Sequence, residues 1–183
     1  GEICGETVKV SVIFCGVMNY APNEQAVVLL AREIWPLVRR ARPDATLSLV
    51  GSHPTRTVLQ LADDRQGITV TGAVPDVRPY LWSSAVSVAP LLTARGLQNK
   101  VLEAVAAGLP TVVTPNIMAS LPPEIARACR AAPDARVLAE AILSLLAQSP
   151  DALLAMAASA DIHTLGWDQQ LAAVPRLLEE AVA

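Results

Sequence analysis

Short apolar runs alternate with amphipathic stretches along most of the chain. Val8 to Phe14 is an apolar run of strand length. Pro22-Asn23-Glu24 then opens a helical pattern that continues to Arg40. Pro36 lies inside that pattern and is predicted to kink it, because proline lacks the N–H and its ring crowds the preceding turn. Ala45 to Val50 reads as a second strand ended by Gly51, and Thr55 to Ala62 as a short helix. Ile68 to Thr71 reads as a third strand closed by Gly72, after which Asp76 is expected to cap a short helix toward Trp82. Ala85 to Ala89 is the fourth strand, Gln98 to Ala107 a helix and Pro110 to Thr114 the fifth strand. Beyond Pro122-Pro123, Ala126 to Ala132 predicts a sixth strand, at an edge because it carries arginines. Three helices follow, over Asp134–Ala147, Asp151–Ala160 and Trp167–Val182.

Strands alternating with helices pair in parallel through right-handed crossovers. The first strands are nearly continuous apolar runs, as expected where both faces of the sheet are covered. The predicted fold is α/β, a doubly wound and mostly parallel sheet of about six strands. Ligands of such sheets bind beyond the carboxyl ends of the strands, near the point where the strand order reverses. Those ends are Cys15–Asn19, Gly51–Pro54, Gly72–Pro75, Pro90–Gln98 and Pro115–Ala119.

Composition narrows the function more than the fold. Among 183 residues, 52% are hydrophobic but only 3% aromatic, so the core must be aliphatic. A net charge of −3 argues against a general basic surface for nucleic acid, while leaving room for a small anion held by a few local donors. Cys4, Cys15 and Cys129 match no disulfide or zinc spacing, and are expected to be reduced, with Cys15 in the core. His53 and His163 have no nearby ligand partners in sequence, so no metal site is expected. No signal peptide is visible and no uninterrupted apolar stretch reaches the ~18 residues of a membrane span. A cytoplasmic location is expected. The start at Gly1, running almost at once into a strand, suggests a piece of a longer protein.

The most informative segment runs from Pro90 to Thr114 as loop, helix and strand. Gly96 is expected where the helix begins, and Glu103 about two turns inside it. A helix N-terminus after a glycine-bearing loop suits a diphosphate, and a carboxylate further in can accept the vicinal hydroxyls of a ribose. An ordinary crossover with a solvated glutamate fits the same pattern. In Gly16-Val17-Met18-Asn19-Tyr20-Ala21-Pro22-Asn23, Gly16 permits close backbone approach or simply a tight turn. His53 is expected to be an exposed loop imidazole rather than a ligand contact. In Gly72-Ala73-Val74-Pro75-Asp76, the backbone around Val74 can meet a base edge or form a plain turn.

Together these pieces resemble the nucleotide-sugar-binding, Rossmann-like half of a GT-B glycosyltransferase of the retaining group 1, or family 4, class. The resemblance runs from about Val8 to Ala183, so residues 1–183 are expected to form one nucleotide-sugar-binding domain. It is carried by Val70-Thr71-Gly72-Ala73-Val74-Pro75-Asp76 and, more strongly, by the run from Asn99 to Val113. The Gly16–Asn23 loop is similar to that of sugar transferases linked to exopolysaccharide gene clusters. The family motif is a glutamate, seven residues and a second glutamate. Glu103 stands at the second, ribose-binding position, and Arg95 stands where the first, sugar-contacting glutamate belongs. Gly96, Leu97 and Gln98 occupy the loop whose amides meet the diphosphate or sugar in the family. The family often carries an Arg and a Lys after its first strand, whereas this chain has no basic residue between Lys9 and Arg32. Arg95 or Lys100 is a candidate replacement, since a guanidinium binds phosphate in bidentate fashion. A solvated helix position explains Lys100 equally well.

The resemblance further implies a nucleoside diphosphate sugar as donor substrate and no cofactor. It implies an N-terminal acceptor domain absent here, and residues 165–183, including Trp167, as a helix crossing back onto it. The acceptor would be a lipid-linked or polysaccharide sugar in exopolysaccharide or glycolipid biosynthesis, with the full-length protein peripheral at the inner membrane. Two alternatives remain. One is a degenerate, non-catalytic nucleotide-binding module, favoured by Arg95; the other is a GT-B-type sugar-nucleotide epimerase, which needs more carboxylates near the sugar.

Overall fold

In the computed structural model, which describes residues 10–93 and 96–161, six strands form one sheet in the order β3-β2-β1-β4-β5-β6. They are β1 (Ser11–Cys15), β2 (Thr46–Val50), β3 (Ile68–Val70), β4 (Val86–Ala89), β5 (Thr111–Val113) and β6 (Cys129–Ala131). All five pairings are parallel. Val12 of β1 stands beside Leu47 of β2 and Val86 of β4. The chain therefore winds outward from β1 in one direction and from β4 in the other. That reversal opens a crevice at the carboxyl ends of the central strands.

Successive side chains of a strand face opposite sides of its sheet, and β1 uses both. Val12 and Phe14 enter the larger core, with Trp35, Leu47, Leu49 and Ile142. Ile13 and Cys15 enter a smaller one, with Val50, Leu81, Ala104 and Leu109. Burial on both faces explains why the run carries almost no polar residue.

The helices are α1 (Ala21–Leu29), α2 (Trp35–Ala41), α3 (Arg56–Leu59), α4 (Arg78–Trp82), α5 (Asn99–Ala106), α6 (Pro115–Met118), α7 (Pro123–Ala126), α8 (Ala135–Leu146) and α9 (Pro150–Ala158). The long first helix is interrupted as Pro36 predicts. Leu30–Ile34 forms a π-helical turn between α1 and α2, which accommodates the ring and the missing N–H without ending the helix. Asp134 caps α8 through the Val137 N–H at 3.0 Å, and Ser149 caps α9 through the Ala152 N–H at 3.2 Å.

Three expectations are corrected. The sixth strand covers Cys129–Ala131 rather than Ala126–Ala132, because Pro122 starts a helical turn in which the Ile125 N–H donates to the Pro122 carbonyl. Gly96 does not begin α5; it lies in the preceding loop with φ 72°, and Gln98 is the N-cap. Asp76 is not the N-cap of α4, a position held by Val77; it reaches forward to the Arg78 N–H at 2.9 Å and pairs with the Arg78 guanidinium. The predicted helix over Trp167–Val182, together with Cys4, Arg95 and His163, lies outside the described residues. Among the described residues no single helix is long and apolar enough to cross a membrane.

Candidate functional site

The crevice is a cleft of about 510 Å³, within the range of small-molecule sites. Its walls come from five segments: Cys15–Val17 at the end of β1, Asn23 of α1, Val50–Ser52 at the end of β2, Ala73, Val74 and Val77 after β3, and Leu97–Lys100 with Glu103 at the start of α5. Gly16, Val74, Leu97, Gln98, Lys100 and Glu103 are thus brought together. Gly96 is exposed in the loop just before this wall and is not itself part of it.

Two glycines let the β1 and β2 ends close on each other. A Cβ on Gly51 would lie 1.7 Å from the Gly16 carbonyl oxygen. A Cβ on Gly16 would lie 2.8 Å from Asn23 Nδ2. Gly16 is therefore packed closely by Asn23 while its backbone also lines the cleft. The pairing of the two strands continues into their loops, where the Gly16 N–H donates to Val50 at 3.0 Å and the Met18 N–H to Ser52 at 2.8 Å.

Sequence reasoning missed Asn23. It is 4% exposed, in the first turn of α1, where Pro22 supplies the fixed φ that starts the helix. Its Nδ2 donates to the Val17 carbonyl at 2.9 Å. Its Oδ1 accepts from Lys100 Nζ at 2.8 Å. Only the separation along the chain between α1 and α5 hides this contact in the sequence; the Pro22-Asn23 pair itself gives no more than a helix start.

Lys100 is not a solvated helix residue. It is half-buried, reaches Gln98 Oε1 at 3.4 Å as well as Asn23, and its Nζ lies 5.6 Å from the centroid of the Phe14 ring. Burial holds its pKa below the ordinary lysine value, against the opposing pull of Cys15 and Glu103. Glu103 is exposed on the same face of α5, three residues on, and opens into the same cleft. The Cys15 thiol is buried at the cleft wall and is pushed up to about 12, first by burial and then by Glu103, with Lys100 opposing. It is a neutral thiol rather than a nucleophile near neutral pH.

The N–H groups of Asn99 and Lys100, in the first turn of α5, point out of the helix end, as first-turn donors do. With the Lys100 ammonium they give the cleft an anion-receiving side, while Val50, Val74 and Val77 give it an apolar one. The loop between β4 and α5 is held at Leu91 by Thr114 Oγ1 at 2.6 Å and at Leu92 by Asn116 Nδ2 at 3.3 Å. His53 is exposed with φ 54° and is not part of the cleft wall, as its loop position suggested. Among the described residues no group of three or more His, Cys, Asp or Glu is placed to hold a metal ion.

Residues 9–148 match the family described as Glycosyl transferases group 1. No curated protein matches the chain. Among solved structures, an α,α-trehalose-phosphate synthase (UDP-forming) from Burkholderia vietnamiensis is similar with a TM-score of 0.71 at 15% identity, over 96% of this chain and 46% of that one. A variant of S. aureus TarM in complex with fondaparinux, α-GlcNAc-glycerol and UDP is similar with a TM-score of 0.70 at 12% identity, over 89% and 34%. WaaG, a glycosyltransferase involved in lipopolysaccharide biosynthesis, gives 0.67 at 20% identity, over 90% and 45%. At such identities the likeness is one of fold, that of the Rossmann-like half of GT-B proteins. The chain spans between a third and a half of the length of these three structures.

Proposed function

Since the chain belongs to the group 1 glycosyl transferases, we propose that its cleft binds the nucleoside diphosphate part of a sugar donor, as the donor half of a retaining glycosyltransferase. The observation that carries this reading is the placement of Lys100 and Glu103, three residues apart on α5 and both in one cleft at the reversal of strand order. A cation and a carboxylate so placed match the two polar parts of the ligand. Glu103 accepts the ribose hydroxyls, and Lys100 with the first N–H groups of α5 faces the diphosphate. The apolar wall near Val74 and Val77 receives the base, with the Val74 backbone at its edge. Arg95, at the motif's first glutamate position in the sequence, is the candidate contact for the distal phosphate or an anionic sugar.

In this reading catalysis is positioning and electrostatics. Charge grows on the diphosphate as the glycosidic bond breaks, and preformed donors aimed at it lower the barrier. Glu103 is the one carboxylate lining the cleft among the described residues, and it is assigned to the ribose, which suits departure and attack on the same face. Transfer requires an acceptor domain to complete the reacting geometry.

Calorimetry with UDP, GDP and ADP tests the assignment. One of them should bind, and Glu103→Gln should weaken it by roughly one to two decades, the worth of a charge-assisted hydrogen bond. The thermal midpoint should not change. Equal affinity in both forms would return Glu103 to a solvated helix face.

A further inference from the structure

We propose that Asn23 is a positioning residue that presents the Lys100 ammonium to the cleft as an unneutralised cation, and so sets the preference for the phosphorylated part of the ligand. The inference rests on the nucleotide reading above and adds to it the residue through which the cation acts.

The argument starts from the charge. A half-buried ammonium ordinarily finds a carboxylate, because removing it from water is costly. None of the ion pairs among the described residues includes Lys100. Its protein partners are two neutral amide oxygens, Asn23 Oδ1 at 2.8 Å and Gln98 Oε1 at 3.4 Å, and the face of Phe14. An ammonium has three donors, and these two amides take at most two of them. Glu103 acts on Lys100 through space without forming an ion pair with it, so the positive charge and one donor remain for a ligand in the cleft that Lys100 lines.

Asn23 is built for this task more firmly than Gln98. Its amide is buried and its Nδ2 is committed to the Val17 carbonyl, so Oδ1 is turned toward Nζ. The missing Cβ of Gly16 supplies the space that the amide fills. One side chain thus joins the loop after β1, where the sequence has no basic residue, to the cation of α5. An aspartate in its place would accept from Nζ equally well but would cancel the charge on which anion binding depends. A neutral acceptor is what keeps the cation in place and still available.

The test uses the full chain, UDP, GDP and ADP, and the nucleoside matching whichever nucleotide binds. Asn23→Leu should lower affinity for the diphosphate about ten- to a hundred-fold while moving nucleoside affinity less than about twofold. Lys100→Met should show the same selective loss, and the double variant should lose no more than either single one, because the two act as a unit. Should Asn23→Leu fail to fold, Asn23→Asp serves, with the same selective loss expected from neutralisation. Equal losses of nucleoside and diphosphate would mark a merely structural asparagine and overturn the proposal. So would an additive double variant. If the parent binds a nucleotide and both Asn23 variants bind it unchanged, the proposal fails while the nucleotide reading stands. If the parent binds none of the three nucleotides, the nucleotide reading itself fails and takes the proposal with it.

Discussion

Two basic residues stand at opposite ends of the sheet and are held in opposite ways. Before β2 and β3, Arg39 directs its guanidinium at the main-chain carbonyls of Pro43, Ala45 at 2.8 Å and Arg65 at 3.0 Å. Beside it the fully buried Trp35 donates Nε1–H to the Gln66 carbonyl at 2.7 Å. These acceptors are backbone, fixed by the fold. At the carboxyl ends, Lys100 is held by the side-chain amides of Asn23 and Gln98, beside a cleft. One end spends its donors on closing the polypeptide; the other holds a cation between side chains and leaves part of its capacity open. The same contrast explains why loops at the carboxyl ends of parallel strands carry binding chemistry while the opposite loops carry stability.

The contrast breaks most severely at Gly51. Gly51→Ala places a methyl 1.7 Å from the Gly16 oxygen, backbone against backbone, so the β1 and β2 ends must separate. A loss of about 4 kcal/mol or more is expected, in the range reserved for clashes and core defects. Chemical denaturation reads it directly. A loss below ~1 kcal/mol, the size of a typical single substitution, would mean that the two loops do not need to touch.

A smaller effect should separate the two ends cleanly. Arg39→Ala removes the donors that close the Pro43–Ala45 and Arg65 turns, costing about 1–3 kcal/mol. Nucleotide affinity should stay within about twofold of the parent, because the contacts lie at the far end of the strands. A matching fall in affinity would show the two ends to be coupled.

Much of this organisation was legible in the chain. The first five predicted strands fall where strands form, and the central β1 and β4 are nearly all apolar because burial on both faces leaves little room for polar residues. Lys100 and Glu103 were identifiable from the run Asn99 to Glu103, since their spacing on one helix places them on one face. What the sequence could not carry were contacts between elements far apart in the chain. Asn23 and Lys100 are separated by 77 positions, and nothing local to either marks the other. Gly51 read as a strand stop, whereas the oxygen that forbids its side chain belongs to the β1 loop. The sixth strand was overdrawn because Ala126 to Ala132 suits a strand by composition, while Pro122 and Pro123 favour a helical turn first.

The two buried thiols sharpen the comparison with the smallest effect. Cys15 and Cys129 are each raised from 9.0 to about 12. Burial alone raises Cys129, while Cys15 also responds to Glu103 and Lys100. A thiol whose folded value is raised contributes stability that is fully present below its unfolded value. That contribution is lost as pH climbs from 9 toward 12, at about 1.4 kcal/mol per pH unit for each thiol. Denaturation at pH 8 and pH 10 should therefore show a smaller alkaline loss in Cys15→Ala and in Cys129→Ala than in the parent, by about 1 kcal/mol each. The thiols then part company in a Lys100→Met background. Removing the cation takes away the influence that lowers the Cys15 value, so thiolate absorbance from Cys15 should appear at still higher pH. Cys129, with burial as its one cause, should titrate as before. If the Cys15 titration does not move, Lys100 does not act on the β1 end of the cleft, and the two ends of the sheet differ less than their hydrogen bonds imply.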